Sequence, residues 1–151
     1  MGIQVEGVGH VVLKVSDVER SLTFYRDALG LKEVARMDDG LGPMVFLSTG
    51  HNHHDIALLE VGSGSTRPKR EDVGLFHVAL KIGNDLDTLR AAKVELEKHN
   101  VPIKFVMDHR VSQSIYTADP DGNQVELFVD ADPAIWRDKP ALVATADSLS
   151  L

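Results

Sequence analysis

The sequence predicts an α+β domain built from two tandem β-α-β-β-β modules, and three observations carry that prediction. The first is a duplicated segment. Gly7-Val8-Gly9-His10-Val11-Val12-Leu13-Lys14-Val15 returns as Gly74-Leu75-Phe76-His77-Val78-Ala79-Leu80-Lys81-Ile82, with Gly, His, Val, Leu and Lys in place. His77 follows His10 by 67 positions, too long a period for a solenoid and suited to duplication of a small βα unit. The second is that strand-like and helix-like runs occur in the same order in both halves. The third is the small-residue, polar stretch Gly62-Ser63-Gly64-Ser65-Thr66-Arg67-Pro68-Lys69-Arg70 between them, which reads as a linker.

Each duplicated His is expected to open a strand, over 7–15 and 75–82. In the first module Asp17 caps a helical pattern over 18–29 in which Val18, Leu22, Tyr25 and Leu29 share a face, and Gly30 stops it. Strand-like runs follow at 33–36, 43–48 and 55–61, separated by Gly-rich or polar turns. The second module repeats the order, with a helix near 85–99 carrying Leu86, Leu89, Val94 and Leu96 as its apolar residues. Its strands fall near 103–107, 112–118 and 124–129. Module one therefore spans about 5–61, the linker 62–73 and module two about 74–130, within a single domain over 1–151. The remainder, 131–151, holds Pro133-Ala134-Ile135-Trp136 and then small residues. This tail is expected to be partly disordered or to pack on a neighbouring subunit, with Trp136 a candidate interface or pocket-rim anchor.

Composition narrows the function. With 151 residues, 43% hydrophobic and 26% charged, the chain can bury a real core and has the make-up of a globular domain. A net charge of −7 and the lack of a basic run argue against nucleic acid or an anionic membrane as partner. No apolar stretch approaches the roughly 20 residues that span a bilayer. Met1-Gly2-Ile3-Gln4-Val5-Glu6 lacks the basic and apolar regions of a secretory signal, so a cytoplasmic location is expected. Cysteine is absent, which excludes disulfides, thiolate metal sites and a Cys nucleophile.

Two equivalent strands related by a pseudo-twofold can bring His10 and His77 into one shared site. A third donor comes from the hairpin signal Asp119-Pro120-Asp121-Gly122-Asn123. A hairpin centred on Asp121 sets Tyr116 opposite Glu126, with both side chains on one face. Glu126 lies in the strand-forming run Gln124-Val125-Glu126-Leu127-Phe128-Val129. Acids are depleted in strands and costly to bury alone, so an inward Glu126 calls for a cation. A lone His at a strand start is ordinarily a structural residue; the repeat makes it a ligand here. His10, His77 and Glu126 are the expected metal ligands, a facial triad with open positions opposite.

These motifs carry a resemblance. The β-α-β-β-β order twice, Gly-x-x-His-Val near each start, and the run from Tyr116 through Asp119-Pro120-Asp121-Gly122-Asn123 to Glu126-Leu127 resemble the vicinal oxygen chelate superfamily. That group includes glyoxalase I, methylmalonyl-CoA epimerase, fosfomycin and bleomycin resistance proteins, and extradiol ring-cleavage dioxygenases. The likeness runs from residue 7 to about 130. It implies paired modules whose mixed sheet forms a cup around a divalent metal.

The strand His54-Asp55-Ile56-Ala57-Leu58-Leu59-Glu60 helps choose the reaction. In glyoxalases and the epimerase this strand supplies a fourth ligand, Glu or Gln, at the place Ala57 occupies. A methyl group cannot coordinate, and Glu60, the alternative fourth ligand, lies three residues on and on the opposite strand face. Three protein ligands leave room for two catechol oxygens and dioxygen. The resemblance is nearest to type I extradiol dioxygenases. It implies Fe(II), with Mn, Zn, Ni or Co as alternatives, a catechol-like substrate with dioxygen, and catalytic roles for His54, His109 and Tyr116. His54 would handle protons, while His109 and Tyr116 would hydrogen-bond the catecholate.

Plainer roles stand beside these. His51, His53 and His54 form a polar cluster of the kind that usually sits in a solvated loop, with His54 the one favoured to point inward. Tyr116 also suits a core position. His99 reads as a helix C-terminal cation, and Arg67 and Arg110 as surface residues before carboxylate binders. The rival reactions are a glyoxalase- or epimerase-like lyase or isomerase, marked by a fourth protein oxygen on the metal, and a non-catalytic sequestering protein, marked by loss of the triad. A homo-oligomer, most simply a dimer, is expected because cup-forming sheets leave edges to cover.

Overall fold

The computed structural model describes residues 2–69 and 71–151. Met1, at the head of the segment read for a secretory signal, and Arg70, within the linker, lie outside the described residues. The chain separates into two units, Met1–Arg67 and Pro68–Leu151, and the division falls inside the small-residue linker.

In the first unit β1 (Val11–Val15) leads to α1 (Val18–Leu22), then β2 (Lys32–Asp38), β3 (Pro43–Ser48) and β4 (Ile56–Glu60). The sheet order is β1-β4-β3-β2, with β1 parallel to β4 and the other pairs antiparallel. Asp17 caps α1 as its side chain predicts, accepting the Arg20 amide at 2.8 Å. The helix then widens into a π turn over Thr23–Ala28, closed by Leu29 N–H to the Phe24 carbonyl at 2.9 Å. The wider turn carries one more residue across the buried face. Phe24 and Tyr25 are therefore both buried, edge to face, with centroids 4.9 Å apart. Gly30, at φ 76°, ends the run in the left-handed conformation that favours glycine.

The second unit repeats the plan: β5 (Val78–Gly83), α2 (Leu86–Lys98), β6 (Phe105–Asp108), β7 (Ser112–Ala118) and β8 (Gln124–Asp130), in the order β5-β8-β7-β6. Asp85 caps α2 through the Thr88 amide. The helix packs against β5, β7 and β8. Leu89 and Leu96 are buried with Ile115, Val125, Leu127 and Val129, each such side chain contributing about 1.5–3 kcal/mol. Val94, read as part of the apolar face, is exposed instead, because 3.6-residue periodicity from Leu89 and Leu96 turns it outward. Strand alternation leaves Ser114, Tyr116, Glu126 and Phe128 on the sheet face away from this core.

Two expectations are corrected. His10 and His77 stand one residue ahead of their strands, because β1 begins at Val11, level with the start of β4, and β5 at Val78, opposite Val125 near the start of β8. The tail, expected to be partly disordered or on a neighbour, folds onto its own unit. Asp132 caps α3 (Pro133–Asp138), a 3-10 turn follows over Pro140–Ala144, and β9 (Asp147–Ser148) pairs antiparallel with β6. The cause is the edge of β6, whose unpaired backbone groups β9 satisfies, helped by the ion pair of Arg110 with Asp147.

Candidate active site

The Asp119–Asn123 turn sets the register of the second unit's site. Asp119 is buried, and its carboxylate accepts the Asp121 amide at 3.0 Å, the Asn123 amide at 2.7 Å and the Asn123 side-chain amide at 2.8 Å. Gly122, at φ 81°, completes the reversal. Tyr116 consequently faces Glu126 across β7 and β8, as the centring on Asp121 predicts.

Glu126 is 7% exposed and fully engaged. Its Oε1 accepts the Ser114 hydroxyl at 2.6 Å, and its Oε2 lies 3.0 Å from Nε2 of His77. With Nε2–H donating to the carboxylate, His77 Nδ1 is a buried atom without a hydrogen-bond partner. The pair's donor types and spacing fit a metal. Two adjacent ligands on an octahedral divalent ion with bonds of about 2.1 Å lie about 3.0 Å apart, and an imidazole with a carboxylate suits Fe, Mn or Zn.

His109 sits in the turn between β6 and β7. Its Nδ1–H donates to the Thr145 carbonyl at 2.7 Å, which leaves Nε2 to accept the Tyr116 hydroxyl at 2.9 Å. Burial, then the neighbouring Glu126 charge, push the Tyr116 phenol up to about 12. Phe105 stacks on the Tyr116 ring at 4.5 Å, and the His77 ring meets it edge-on at 5.8 Å.

In the first unit His10 precedes β1 and its ring lies 4.3 Å from that of His54. His54 ends the polar loop before β4 rather than opening the strand. It is half-buried, with Phe46 edge-on at 5.3 Å and Nδ1 2.6 Å from Nδ1 of His53. Partial burial, then the positive charge of His10 and His53, hold it below the ordinary histidine value. The loop is pinned by Asp55, which accepts from the Thr49 amide and hydroxyl and the Asn52 side chain.

The two units carry corresponding registers. Ala57 pairs with Val12 and Phe46, as Glu126 pairs with Ala79 and Tyr116. Ala57, fully buried, is thus the first module's counterpart of Glu126. Glu60 is not a free substitute: its Oε2 accepts the Val18 amide at 2.9 Å, at the start of α1. His99 is the α2 C-cap residue and pairs with Glu95, as its position predicts. Arg110 pairs with Asp108 and Asp147.

The structure thus brings His77, Glu126, Tyr116 and His109 together in one unit, and His10 with His54 in the other. Among the described residues no group of three His, Asp or Glu stands where it would hold a metal. Two participants escape sequence reasoning. Ser114, fully buried, is signalled only by the period-two run Ser112, Ser114, Tyr116. Thr145 acts through a backbone carbonyl, which no side-chain pattern reveals.

Each unit is a four-strand repeat with a histidine ahead of its first strand, and the second carries the carboxylate Glu126 on its last strand where the first carries Ala57. Residues 7–127 match the Glyoxalase/Bleomycin resistance protein/Dioxygenase superfamily, and the chain belongs to it. It is 30% identical over 130 residues to the catechol-2,3-dioxygenase of Bacillus subtilis (strain 168), covering 86% of this chain and 44% of that one. It is 28% identical over 124 residues to a lactoylglutathione lyase of Neisseria meningitidis serogroup B, covering 79% of this chain and 87% of the lyase. The crystal structure of a glyoxylase/bleomycin resistance protein/dioxygenase domain from Frankia sp. EAN1pec shares the fold at a TM-score of 0.74 and 21% identity, over 84% of this chain and 99% of that one. The chain spans 41% to 63% of the length of the first four dioxygenases it matches.

Proposed function

We propose that the chain is a metal-dependent extradiol-type dioxygenase that opens a catecholic ring with dioxygen. His10, His77 and Glu126 hold the metal, Fe(II) before Mn, Zn, Ni or Co. The observation that carries this reading is Ala57 at the register position of Glu126. It leaves three protein ligands where a lyase of this superfamily is expected to have four, and so leaves positions for both catechol oxygens and dioxygen. Bound iron would supply a single centre on which those reactants meet.

The chain's own residues supply the rest. Ser114 holds Glu126 in one orientation by its hydrogen bond to Oε1. Tyr116 keeps its proton at neutral pH, and its oxygen retains a lone pair toward a substrate hydroxyl. His109, fixed as the Nδ1–H tautomer by Thr145, accepts from Tyr116 and holds the phenol in place. His54, neutral near pH 7, takes or gives a proton beside His10.

A second reading, a lactoylglutathione-lyase-like lyase or isomerase, is favoured by the match over 87% of that enzyme's length. Anaerobic metal analysis followed by oxygen uptake on a panel of catechols tests the two. Stoichiometric iron and oxygen consumed in step with catechol are expected. Zn- or Ni-loaded protein that consumes no oxygen but isomerises a glutathione adduct of an α-ketoaldehyde would overturn the dioxygenase reading.

A further inference from the structure

The turn between β6 and β7 meets the folded-back tail at two adjacent points. His109 Nδ1 lies 2.7 Å from the Thr145 carbonyl, and the next residue, Arg110, pairs with Asp147, two positions after Thr145. Arg110 sits at φ 66°, a left-handed conformation that is costly for any residue with a side chain and free for glycine. What the position gains for that strain is a guanidinium. Its setting explains the use. Asp108 and Asp147 are cross-strand partners where β6 meets β9, and like charges directly opposite each other repel. Arg110 lies against both, with Nη2 on Asp147 and Nη1 3.8 Å from Asp108. An exposed ion pair alone contributes little. Here the cation also removes a repulsion, and β9 is a strand of two residues with little else to hold it.

We propose that Arg110 and Asp147 are positioning residues: by fastening the tail they lock the His109 tautomer and so fix which way the Tyr116 hydroxyl points. The Thr145 carbonyl can only accept, so the Nδ1 facing it carries the hydrogen, and in the neutral ring Nε2 is left as an acceptor. Tyr116 then donates its hydroxyl hydrogen to Nε2, 2.9 Å away, and offers a lone pair to the site. A released tail takes the acceptor from Nδ1, and exchange with water moves the hydrogen to Nε2. Nε2–H donates to the Tyr116 oxygen, and the phenol presents a hydrogen where it had presented a lone pair. A substrate hydroxyl meets an acceptor in the first state and a competing donor in the second. That a substrate hydroxyl meets Tyr116 rests on the dioxygenase reading. The coupling of tail, tautomer and phenol rests on the geometry of the second unit alone.

Long-range proton–nitrogen correlation spectra of the metal-free, full-length protein read the tautomer directly, at a pH well above the ordinary histidine range. His109→Gln identifies the His109 signals by their loss. Wild type should show a protonated Nδ1 and a bare Nε2. Arg110→Gly, which relieves the backbone strain while deleting the guanidinium, and Arg110→Glu, which sets three acids together, should each give a ring whose two nitrogens average. Adding Asp147→Lys to Arg110→Glu reverses the ion pair and sets a cation across from Asp108, so it should restore the wild-type pattern. In the metal-loaded enzyme Arg110→Glu should keep its metal stoichiometry, lose at least tenfold in kcat/KM for catechol, and regain most of it with Asp147→Lys. A tautomer that follows the ion pair in a protein that opens no catechol ring would support the lock and refute the dioxygenase reading. An Nε2–H tautomer in wild type, an unchanged ring in both Arg110 variants, no recovery with Asp147→Lys, or wild-type ring cleavage by Arg110→Glu despite an averaged ring would overturn the proposal.

Discussion

Ala57 occupies in β4 the register position that Glu126 occupies in β8, each opposite the second residue after a duplicated histidine. The two modules thus keep one scaffold but differ in whether that position carries a carboxylate. This difference gives the first prediction. Ala57→Glu buries a carboxylate that costs several kcal/mol unpaired, so the metal-free variant should melt well below wild type. Adding Zn or Mn should restore most of the loss, and catechol-dependent oxygen uptake should fall at least tenfold. Calorimetry with and without metal checks it; a metal-independent melting temperature would sink the equivalence.

The triad itself predicts that His10→Ala, His77→Ala and Glu126→Ala each lose stoichiometric metal while keeping the wild-type circular dichroism spectrum. The core of each unit is apolar and independent of these side chains, from Leu22 and Tyr25 in one to Leu89 and Val125 in the other. Metal content of any one variant equal to wild type would remove that residue from the ligand set.

Ser114→Ala deletes the donor to Glu126 Oε1. Loss of such a supporting hydrogen bond lowers metal affinity by about 10–100-fold. Competition with a chelator measures it, and Ser114→Thr, which keeps the hydroxyl, should recover part of the loss.

The legible and illegible parts of this molecule differ in where their information lies. The pairing of Tyr116 with Glu126 is readable because Asp119 and Gly122 leave the hairpin one register. The helix start at Asp17 is readable because a short acceptor precedes its apolar period. The tail is not readable. Its fold depends on the open edge of β6 and on Arg110 reaching Asp147, contacts distant in sequence with no periodic pattern. The same holds for Glu60, whose place at the start of α1 follows from β4 lying beside β1. The orientation of His109 by the Thr145 carbonyl is not readable either, since the acceptor is a backbone atom distant in sequence.

β2 is one edge strand of the first sheet and is exposed along its whole length, with Val34 and Met37 among its residues. An edge of seven residues invites pairing with a second copy. Light scattering at micromolar concentration should give a dimer, and Val34→Lys with Met37→Lys should shift it toward monomer. A clean species of 16.5 kDa for the wild type would refute the dimer.

His54 packs between His10 and Phe46, with a neutral imidazole beside a proposed metal ligand. A proton-transfer role follows if the dioxygenase reading holds. His54→Phe preserves the aromatic contacts with both neighbours, so metal content and catechol affinity should stay within a fewfold of wild type. Turnover should fall by about 10²–10⁴-fold, the usual range for removing a general acid–base group. His54→Gln should be as impaired in turnover, since it restores polarity without a titrating group. If His54→Phe cleaved catechols at near-wild-type rate, the residue would be a packing element of the polar loop. The case for ring cleavage over lyase chemistry would then rest on Ala57 alone.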